Sequence, residues 1–594
     1  MKPSQKTKLL IVGLDGAGFD VISPLIQSGR LPNLSKLLSQ GAHGPLESTV
    51  HPLTPLAWTS FLTGKNPGKH GIFDFFARVE NTYKFRLVTL AERSGRDFID
   101  ILSDADRRVV SLNVPLTYPP RPVNGAMVSG MGTPNLQVQF TYPPNLRKMI
   151  LEKCPGYAIA PPYDRGRETI AKAVLRMAQA HTNAGLLLMG EFNPDLFVMV
   201  YGSTDIAQHL YWRDAYERGT EGTDPAFADL IARVYETADA GLGAFIERMG
   251  DVPVLILSDH GAQGLELAVG LNRFLADKGY LAFFPGGKPP PDMTLGKVVR
   301  SIARKSSLAI QRTLPKSIKE PLKRLLPGIS HKLTALWNVP DMSAVDFSRT
   351  RAFAVGSYGS IFLNVKGREP QGVIEAGKQY EELCDEISAA LLGWTTPGGN
   401  RVVDKVQRRE ELYQGPFVER APDLIVRLQP GVFTRTSFAP EKEELYEGRE
   451  HPMFVQKYQS IHAMYGICIA SGHPFYHEQS NTSSPNNLQG KHIEAPNSIQ
   501  GQLIEKPNAI PGQLVEGARI IDLAPTILHA MGLDIPDDMD GIPLKGLFDP
   551  EWYNANPPRI TSGPSKPGPA TTRKLSPEEE KKLKEELQGL GYIQ

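Results

Sequence analysis

At 594 residues the chain is too long for one compact core, so we expect one large domain with substantial insertions or two to three domains. Its 65 Lys and Arg residues balance 64 Asp and Glu residues, which argues against a global charge that would attract a nucleic-acid polymer. No stretch approaches the roughly eighteen apolar residues of a membrane span, and three widely spaced cysteines cannot build a disulfide framework. We therefore expect a soluble, cytoplasmic protein whose cysteines are packing residues.

Four apolar, β-rich runs each end in a polar or glycine-containing turn and precede a helix-like segment. They lie at 9–15, 109–115, 195–205 and 252–261. The first apolar run is too short for a signal peptide and is predicted to be a strand. Strands that alternate with helices predict an α/β fold with a mostly parallel central sheet and helices on both faces. In such sheets ligands bind beyond the carboxyl ends of the strands, where three of these runs carry an aspartate.

The predicted α/β core has two parts, 1–285 and 346–550, separated by an inserted region at 286–345. Within this insertion, residues 297–327 form a basic amphipathic segment in which nine Lys or Arg residues accompany a single Glu320. A solvated helical cap is one interpretation of the segment. The alternative is a lid that meets acidic substrates or makes peripheral contact with an anionic membrane surface.

Two further segments interrupt or follow the core. Residues 476–518 form a polar loop with an eleven-residue internal repeat, which is too short and polar to bury a core of its own. Residues 556–575 form a linker rich in Pro, Gly and Ser. A C-terminal helix is predicted over 576–594, with Ser576 as N-cap and an apolar edge that docks on the domain or on a partner and consists of Leu583, Leu587 and Leu590.

Acidic residues and histidines follow the ends of these runs. Asp15 follows the first run, and Asp205 and His209 lie four residues apart, a spacing that places both side chains on one helix face. Asp259 and His260 end the fourth run, where an adjacent carboxylate and imidazole are costly to bury without a counterion. These positions predict ligands for a cation.

A later histidine, His462, immediately precedes another short apolar run. Taken alone, these residues have ordinary structural interpretations, such as a helix cap for Asp15 and a core or surface histidine for His462. Together, three aspartates and three histidines at strand ends match the ligand chemistry of two divalent metal ions. Zinc is the expected metal, with manganese and iron as alternatives.

The segment HPLTPLAWTSFLTG contains a candidate nucleophile. Thr54 followed by Pro55 predicts the N-cap and first residue of a helix, where free N–H groups and the helix dipole favour an anion. A phosphate bound at this terminus would lie beside the Thr54 hydroxyl. A threonine that only caps its helix is the alternative.

In combination these motifs resemble the type I phosphodiesterase/nucleotide pyrophosphatase family of the alkaline phosphatase superfamily. The resemblance covers about residues 8–80, 190–265 and 450–545. Its motifs are a strand ending in Asp-Gly, a Thr nine residues before a Thr-Gly, a downstream P-x-x-H-G-I, an Asp-x-x-x-His, an Asp-His-Gly and a late His. In this sequence they fall on Asp15, Thr54, Thr63-Gly64, Pro67 to Ile72, Asp205 with His209, Asp259 with His260, and His462.

The resemblance implies an alkaline phosphatase-like fold and a metal-dependent hydrolase of a small-molecule phosphate ester. The expected activity is that of a phosphodiesterase with a Thr54 phosphoenzyme intermediate. One metal is expected on Asp205, His209 and His462, and the other on Asp15, Thr54, Asp259 and His260. His70 belongs to the signature but has no ligand role in the family, so it is expected to be structural.

One position departs from the family pattern. Nucleotide pyrophosphatases of the family typically carry an asparagine three residues after the nucleophile, and Ala57 stands there. The nucleotide substrate is therefore not implied for this chain. A backbone N–H, or a residue of the 80–190 region such as Asn113, is a replacement donor to weigh against an ordinary loop or capping role.

Alternatives to a phosphodiesterase come from the same superfamily and from outside enzymology. A phosphomonoesterase or a phosphonate hydrolase is the main enzymatic alternative. A sulfatase is excluded because Thr54-Pro55 lacks the Cys or Ser of the sulfatase motif. An inactive scaffold module is the remaining alternative, and the complete set of ligand candidates argues against it.

Overall fold

The computed structural model describes residues 8–287, 341–356, 358–438, 444–449, 458–478, 512–562 and 575–589. The basic segment 297–327 lies outside these described residues, as do most of the repeat loop and most of the linker. Their predicted roles, and the division into two core parts with an insertion, stay predictions.

A ten-stranded sheet forms the centre of the molecule. The strand Leu9–Leu14 lies in its middle and pairs in parallel with Leu196–Tyr201 on one side and Val254–Leu257 on the other. Tyr465–Ser471 and Thr141–Tyr142 run antiparallel to their neighbours. The order of strands is Gln513–Leu514, Ala42–Glu47, Tyr465–Ser471, Val254–Leu257, Leu9–Leu14, Leu196–Tyr201, Val109–Val114, Gly125–Ser129 and Thr141–Tyr142, with Ala518–Arg519 also paired to Ala42–Glu47.

Helices cover both faces of this sheet. Successive side chains of a strand point to opposite faces, so Leu10 and Val12 pack into one core and Leu9 and Ile11 into the other. On the first face lie the helices Arg167–Phe192 and Leu230–Met249, and on the second lie Thr54–Thr63 and Leu523–Ala530. All six residues of Leu9–Leu14 are buried, which explains the unbroken apolar run in the sequence. The predicted α/β fold with a mostly parallel sheet is confirmed.

The remaining elements surround this three-layer core. The other helices are Phe19–Gln27, Pro32–Gln40, Pro67–His70, Phe98–Asp104, Leu146–Lys153, Ser203–Tyr216, Leu271–Asp277, Lys378–Leu392, Arg409–Leu412, Pro550–Ala555 and Pro577–Gly589. Smaller sheets join Ala352–Val355, Ser360–Leu363, Leu424–Leu428 and Val403–Arg408; Val432–Arg435, Leu267–Gly270 and Tyr446–Gly448; Gly261–Gly264 and Ser460–Ala463; Phe76–Arg78 and Phe85–Leu87; and Ile535–Pro536 and Ile560–Thr561.

Two local predictions differ from the structure by a small shift. The helix Thr54–Thr63 begins at Thr54 itself, and Leu53 is the N-cap with extended backbone angles, a one-residue shift within the usual spread of helix boundaries. His462 lies inside the short strand Ser460–Ala463 rather than ahead of a strand, because this strand pairs with Gly261–Gly264 before the chain enters the main sheet.

The C-terminal helix docks on the domain. Its leucines Leu583 and Leu587 are each 2% exposed, and the Ser576 backbone N–H donates to the Glu579 carboxylate at 2.7 Å. Leu590 lies outside the described residues. Docking on the domain, one of the two predicted alternatives, is therefore observed.

All three cysteines are free and buried, as expected for packing residues. Among the described residues, no helix has the length and apolar character needed to cross a membrane.

Candidate metal centre

Asp15 lies at the carboxyl end of the central strand, directly after Leu14. The following Gly16 has a φ of 72°, and a side chain there would begin 2.8 Å from Asp205 Oδ1, so glycine allows the two carboxylates to approach. Thr204 Oγ1 donates to the Asp15 carbonyl at 2.6 Å and fixes the start of the neighbouring helix against this turn. This hydrogen bond holds the carboxyl end of the strand Leu9–Leu14 against the start of the helix Ser203–Tyr216.

Asp205 and His209 lie on one face of the helix Ser203–Tyr216, as their spacing predicts. His209 Nε2 is 3.3 Å from Asp205 Oδ1 and 3.0 Å from His462 Nε2. His462 Nε2 is itself 3.8 Å from Asp205 Oδ1. These three side chains from a helix and a distant strand therefore converge on one point.

A second group forms around His260. Its Nε2 atom is 3.3 Å from Asp259 Oδ2, 3.6 Å from Asp15 Oδ1 and 3.4 Å from Thr54 Oγ1. The His260 ring also stacks on that of His462 with ring centres 3.5 Å apart. The structure thus brings all seven predicted site residues together at the carboxyl ends of the central strands.

A backbone carbonyl lies against the Nδ1 atom of each imidazole. Nδ1 of His209 is 2.9 Å from the Ser460 carbonyl, that of His260 is 2.9 Å from the Gly261 carbonyl, and that of His462 is 2.7 Å from the Pro52 carbonyl. A carbonyl oxygen only accepts, so each Nδ1 carries a proton, which leaves Nε2 as the ring atom that can coordinate a cation at the centre. This is the arrangement that metal-binding histidines require.

The carboxylates of the site are buried, and hydrogen bonds within the described residues do not satisfy all of their oxygen atoms. All seven site residues are at most 4% exposed, and Asp15 Oδ1 and Asp259 Oδ2 form no hydrogen bond within that part of the chain. Burial and the neighbouring Asp259 and Asp205 raise the pKa of Asp15 well above its usual range. Burial and Asp205 do the same to the pKa of Asp259. Buried acidic groups that repel each other fit a bound cation.

The same surroundings also shift the pKa values of two of the imidazoles, His209 and His462. Although burial opposes the charged forms of both partners, the attraction between Asp205 and His209 lowers the pKa of Asp205 and raises that of His209. Burial and the adjacent His260 lower the pKa of His462 well below its usual range. A neutral His462 is ready to act as a ligand without losing a proton.

Two sets of three donor atoms lie within 4.8 Å of one another and fit metal ions: Asp205, His260 and His462, and Asp15, Asp259 and His260. Nitrogen and oxygen donors of this kind suit zinc and related divalent ions. The predicted division placed His209 in the first set and His260 in the second. Here His260 Nε2 belongs to both sets, and His209 borders the first through its contacts with Asp205 and His462.

Several supporting side chains around the centre were not predicted. Trp58 Nε1 donates to Asp15 Oδ2 at 3.2 Å, and its ring lies so close to Gly13 that a side chain there would begin 2.5 Å away. The His462 backbone N–H donates to the Tyr358 hydroxyl at 3.1 Å. Only Trp58 had a sequence signal, since it lies one helical turn after Thr54.

His70 lies outside this constellation. Its Nε2 is 3.0 Å from Ser60 Oγ, and its Nδ1 accepts from the Ile72 backbone N–H at 3.2 Å. It therefore braces the turn after the helix Thr54–Thr63.

A cavity of about 30 Å³ adjoins the centre. Its lining includes Asp15, Asp205, Asn113 and Glu586. Burial raises the pKa of Glu586 to about 8. A larger cavity of about 410 Å³ lies elsewhere, between Phe73, Phe85 and Phe362, and includes none of the seven site residues.

Two of the solved structures to which the chain is similar are of phosphonoacetate hydrolase from Sinorhizobium meliloti 1021. The complex with phosphonoformate has a TM-score of 0.47 at 15% identity, and the complex with phosphonoacetate has 0.44 at 14% identity. Each alignment covers 79% of this chain and 90% of that chain. No curated protein matches the sequence.

The family model described as type I phosphodiesterase / nucleotide pyrophosphatase matches residues 9–453. This match spans most of the chain and includes six of the seven site residues, all but His462. The chain therefore belongs to the type I phosphodiesterase/nucleotide pyrophosphatase family of the alkaline phosphatase superfamily and is a hydrolase of phosphoric ester bonds.

Proposed function

We propose that the protein is a two-metal phosphodiesterase that uses Thr54 as its nucleophile. The observation that carries the proposal is the position of the Thr54 hydroxyl, which is fully buried at a helix N-terminus and 3.4 Å from the shared ligand candidate His260. A threonine that only caps a helix has no need of three buried carboxylates and three oriented imidazoles around it.

The proposed metal ligands are those of the family pattern: Asp205, His209 and His462 for one ion, and Asp15, Thr54, Asp259 and His260 for the other. When bound, two divalent ions, with zinc favoured over manganese or iron, neutralise the carboxylates and act as Lewis acids toward phosphoryl oxygens. The Asp15 and Asp259 oxygens that lack a hydrogen bond within the described residues support this assignment, as do the three imidazoles whose Nδ1 atoms are held by backbone carbonyls.

Thr54 performs the first step by attacking phosphorus in line with the leaving oxygen. The P–O bond to the leaving group breaks as the bond to Thr54 Oγ1 forms, and the product is a phosphothreonine ester. The helix N-terminus stabilises the negative charge on this phosphoryl group through its unpaired N–H groups and its dipole. Water then attacks from the opposite side, Thr54 leaves, and the configuration at phosphorus is retained overall.

The charge of the surroundings favours a diester over a monoester. A monoester dianion carries an additional negative charge that the site must neutralise. Within the described part of the chain, no Lys or Arg lines the cavity beside the centre. A diester monoanion is therefore the better match, and the substrate is a small-molecule phosphodiester.

An activity panel tests this proposal. Metal-loaded protein, prepared with Zn or with Mn, is assayed with bis-p-nitrophenyl phosphate, p-nitrophenyl phosphate, p-nitrophenyl sulfate and phosphonoacetate. We expect the diester to have the highest kcat/KM. A preference for the monoester or for phosphonoacetate would favour the corresponding alternative, and absence of turnover with two bound metals would favour a scaffold.

A further inference from the structure

Asn113 occupies an irregular position at the end of the strand Val109–Val114. Leu112 pairs with Val128 and Val114 pairs with Ser129, so Asn113 is the extra residue of a β-bulge. Its φ of 58° lies in the left-handed region, which asparagine adopts more readily than most residues. Bulges of this kind commonly re-aim a side chain next to an active site.

The side-chain amide of Asn113 has a hydrogen bond at its oxygen but none, within the described residues, at its nitrogen. Tyr157 Oη donates to Asn113 Oδ1 at 2.5 Å, and the Tyr157 ring stacks on Phe140. The Asn113 side chain is buried, and its Nδ2 has no hydrogen-bond partner among the residues that the structure describes. A buried amide donor without a partner costs free energy, so it points to an acceptor that arrives with a ligand.

Asn113 lines the cavity that Asp15 and Asp205 share. At about 30 Å³ this cavity has room for only one or two water-sized groups. Such a space suits a single phosphoryl oxygen and excludes a bulky substituent. Meanwhile Ala57, on the nucleophile helix, has no polar side-chain atom to offer such an oxygen.

We propose that Asn113 Nδ2 donates a hydrogen bond to a non-bridging phosphoryl oxygen of the substrate, and that Tyr157 is the positioning residue that orients the amide. This inference rests on the proposed function. Asn113 is then a catalytic residue that stabilises charge on the phosphoryl group, and its left-handed bulge is the backbone device that brings it to the centre.

Asn113→Gly is the appropriate variant, because glycine tolerates the left-handed φ while removing the donor. The matched control is Asn81→Gly, which changes an exposed asparagine with a φ of 56° in a turn away from the cavity. We expect Asn113→Gly to keep its thermal unfolding midpoint and to lower kcat/KM for bis-p-nitrophenyl phosphate by about 10²-fold or more. Tyr157→Phe is expected to show a smaller decrease, and Asn81→Gly to match the wild type.

A second readout separates hydrogen bonding from a structural effect. In the two stereoisomers of methyl p-nitrophenyl phosphorothioate, sulfur replaces one or the other non-bridging oxygen, and sulfur is a weak acceptor. The wild type should prefer the isomer whose oxygen faces Asn113. Asn113→Gly should reduce this preference about tenfold or more, the loss expected for one strong hydrogen bond.

The outcomes are distinct. A kcat/KM for Asn113→Gly within about threefold of the wild type, or a decrease with unchanged stereoisomer preference, overturns the role of Asn113 while leaving the proposed function in place. A metal-loaded wild type that cleaves no diester overturns the proposed function, and this inference with it.

Discussion

The metal centre and the cavity beside it share Asp15 and Asp205 but are built differently. At the centre, each imidazole is fixed by a backbone carbonyl before anything binds. In the lining of the cavity, Asn113 has an amide donor without a hydrogen-bond partner among the described residues, and Glu586 comes from the C-terminal helix. The donor atoms of the first region fit cations. The second contains a buried amide donor, Asn113 Nδ2, that can hydrogen-bond to a substrate.

Because the two regions are built differently, we expect changes in them to have different effects on catalysis. Changes at the centre should remove turnover of every substrate, because all of them need the nucleophile and its charge neutralisation. Changes at the cavity wall should weaken stabilisation of the phosphoryl oxygen while leaving the nucleophile and the metal ligands in place.

Thr54→Ala is expected to lower kcat by at least about 10³-fold, because it removes the hydroxyl proposed to attack phosphorus. Thr54→Ser is the matched control and should retain partial activity, since the hydroxyl remains while the methyl group that restricts its rotamer is lost. Both variants should be assayed with bis-p-nitrophenyl phosphate, alongside mass analysis of acid-quenched protein. Wild-type turnover by Thr54→Ala would rule out the threonine nucleophile.

Asp205→Asn is expected to lower turnover by about 10²-fold or more and to reduce metal content in parallel, because Asp205 contacts both His209 and His462. The sheet core does not depend on this side chain, so circular dichroism should be unchanged. Asp164→Asn, at an exposed acidic position, serves as control. Normal metal content together with normal turnover in Asp205→Asn would remove this residue from the centre.

Trp58→Phe tests a side chain that orients a ligand without binding metal. It keeps an aromatic ring on this helix but loses the N–H that donates to Asp15 Oδ2, together with the outer indole atoms Cζ2 and Cη2 that lie against Gly13. We expect metal affinity or activity to fall by about 10- to 100-fold, the usual effect of losing such a partner. Trp552→Phe, on the helix Pro550–Ala555, controls for loss of an indole elsewhere. Equal affinities in Trp58→Phe and wild type would show that the bond does not tune Asp15.

Leu587→Ala tests the cavity wall through its support. Leu587 is 2% exposed, so its truncation should weaken docking of the C-terminal helix by about 2–5 kcal/mol. Hydrogen exchange of residues 577–589 should accelerate, while turnover changes less than in the three preceding variants because the metal ligands remain. Glu585→Ala, exposed on the same helix, should leave exchange unchanged. Unaltered exchange in Leu587→Ala would mean that this contact does not hold the helix.

The same two regions also differ in what the sequence could predict. Asp205 and His209 were predictable because helical spacing alone places them on one face, and Asp15 because strand ends meet at one edge of a parallel sheet. The strand Ser460–Ala463, which carries His462, was not predictable, because it is defined by pairing with Gly261–Gly264 from a distant part of the chain. A local spacing can be read from the sequence. The exact boundaries of a strand depend on the strand with which it pairs, so a shift of two residues near His462 could not be predicted.

The cavity wall was less predictable for the same physical reason. The bulge at Asn113 exists only relative to the register of Gly125–Ser129, and no motif around Asn113 signals it. The C-terminal helix was predicted from its caps and leucines, but the arrival of Glu586 in the cavity follows from where the helix docks. Long-range packing of this kind leaves no periodic signal in the sequence.

The central claim is that buried carboxylates and imidazoles hold two divalent ions beside Thr54, and metal content tests it most directly. Wild-type protein, reconstituted with Zn and freed of excess metal by gel filtration, should contain about two equivalents by mass spectrometry, as a two-metal site requires. The double variant Asp205→Asn with His462→Ala should retain about one equivalent, held by Asp15, Asp259 and His260. Wild-type protein that binds no metal under these conditions would contradict the account.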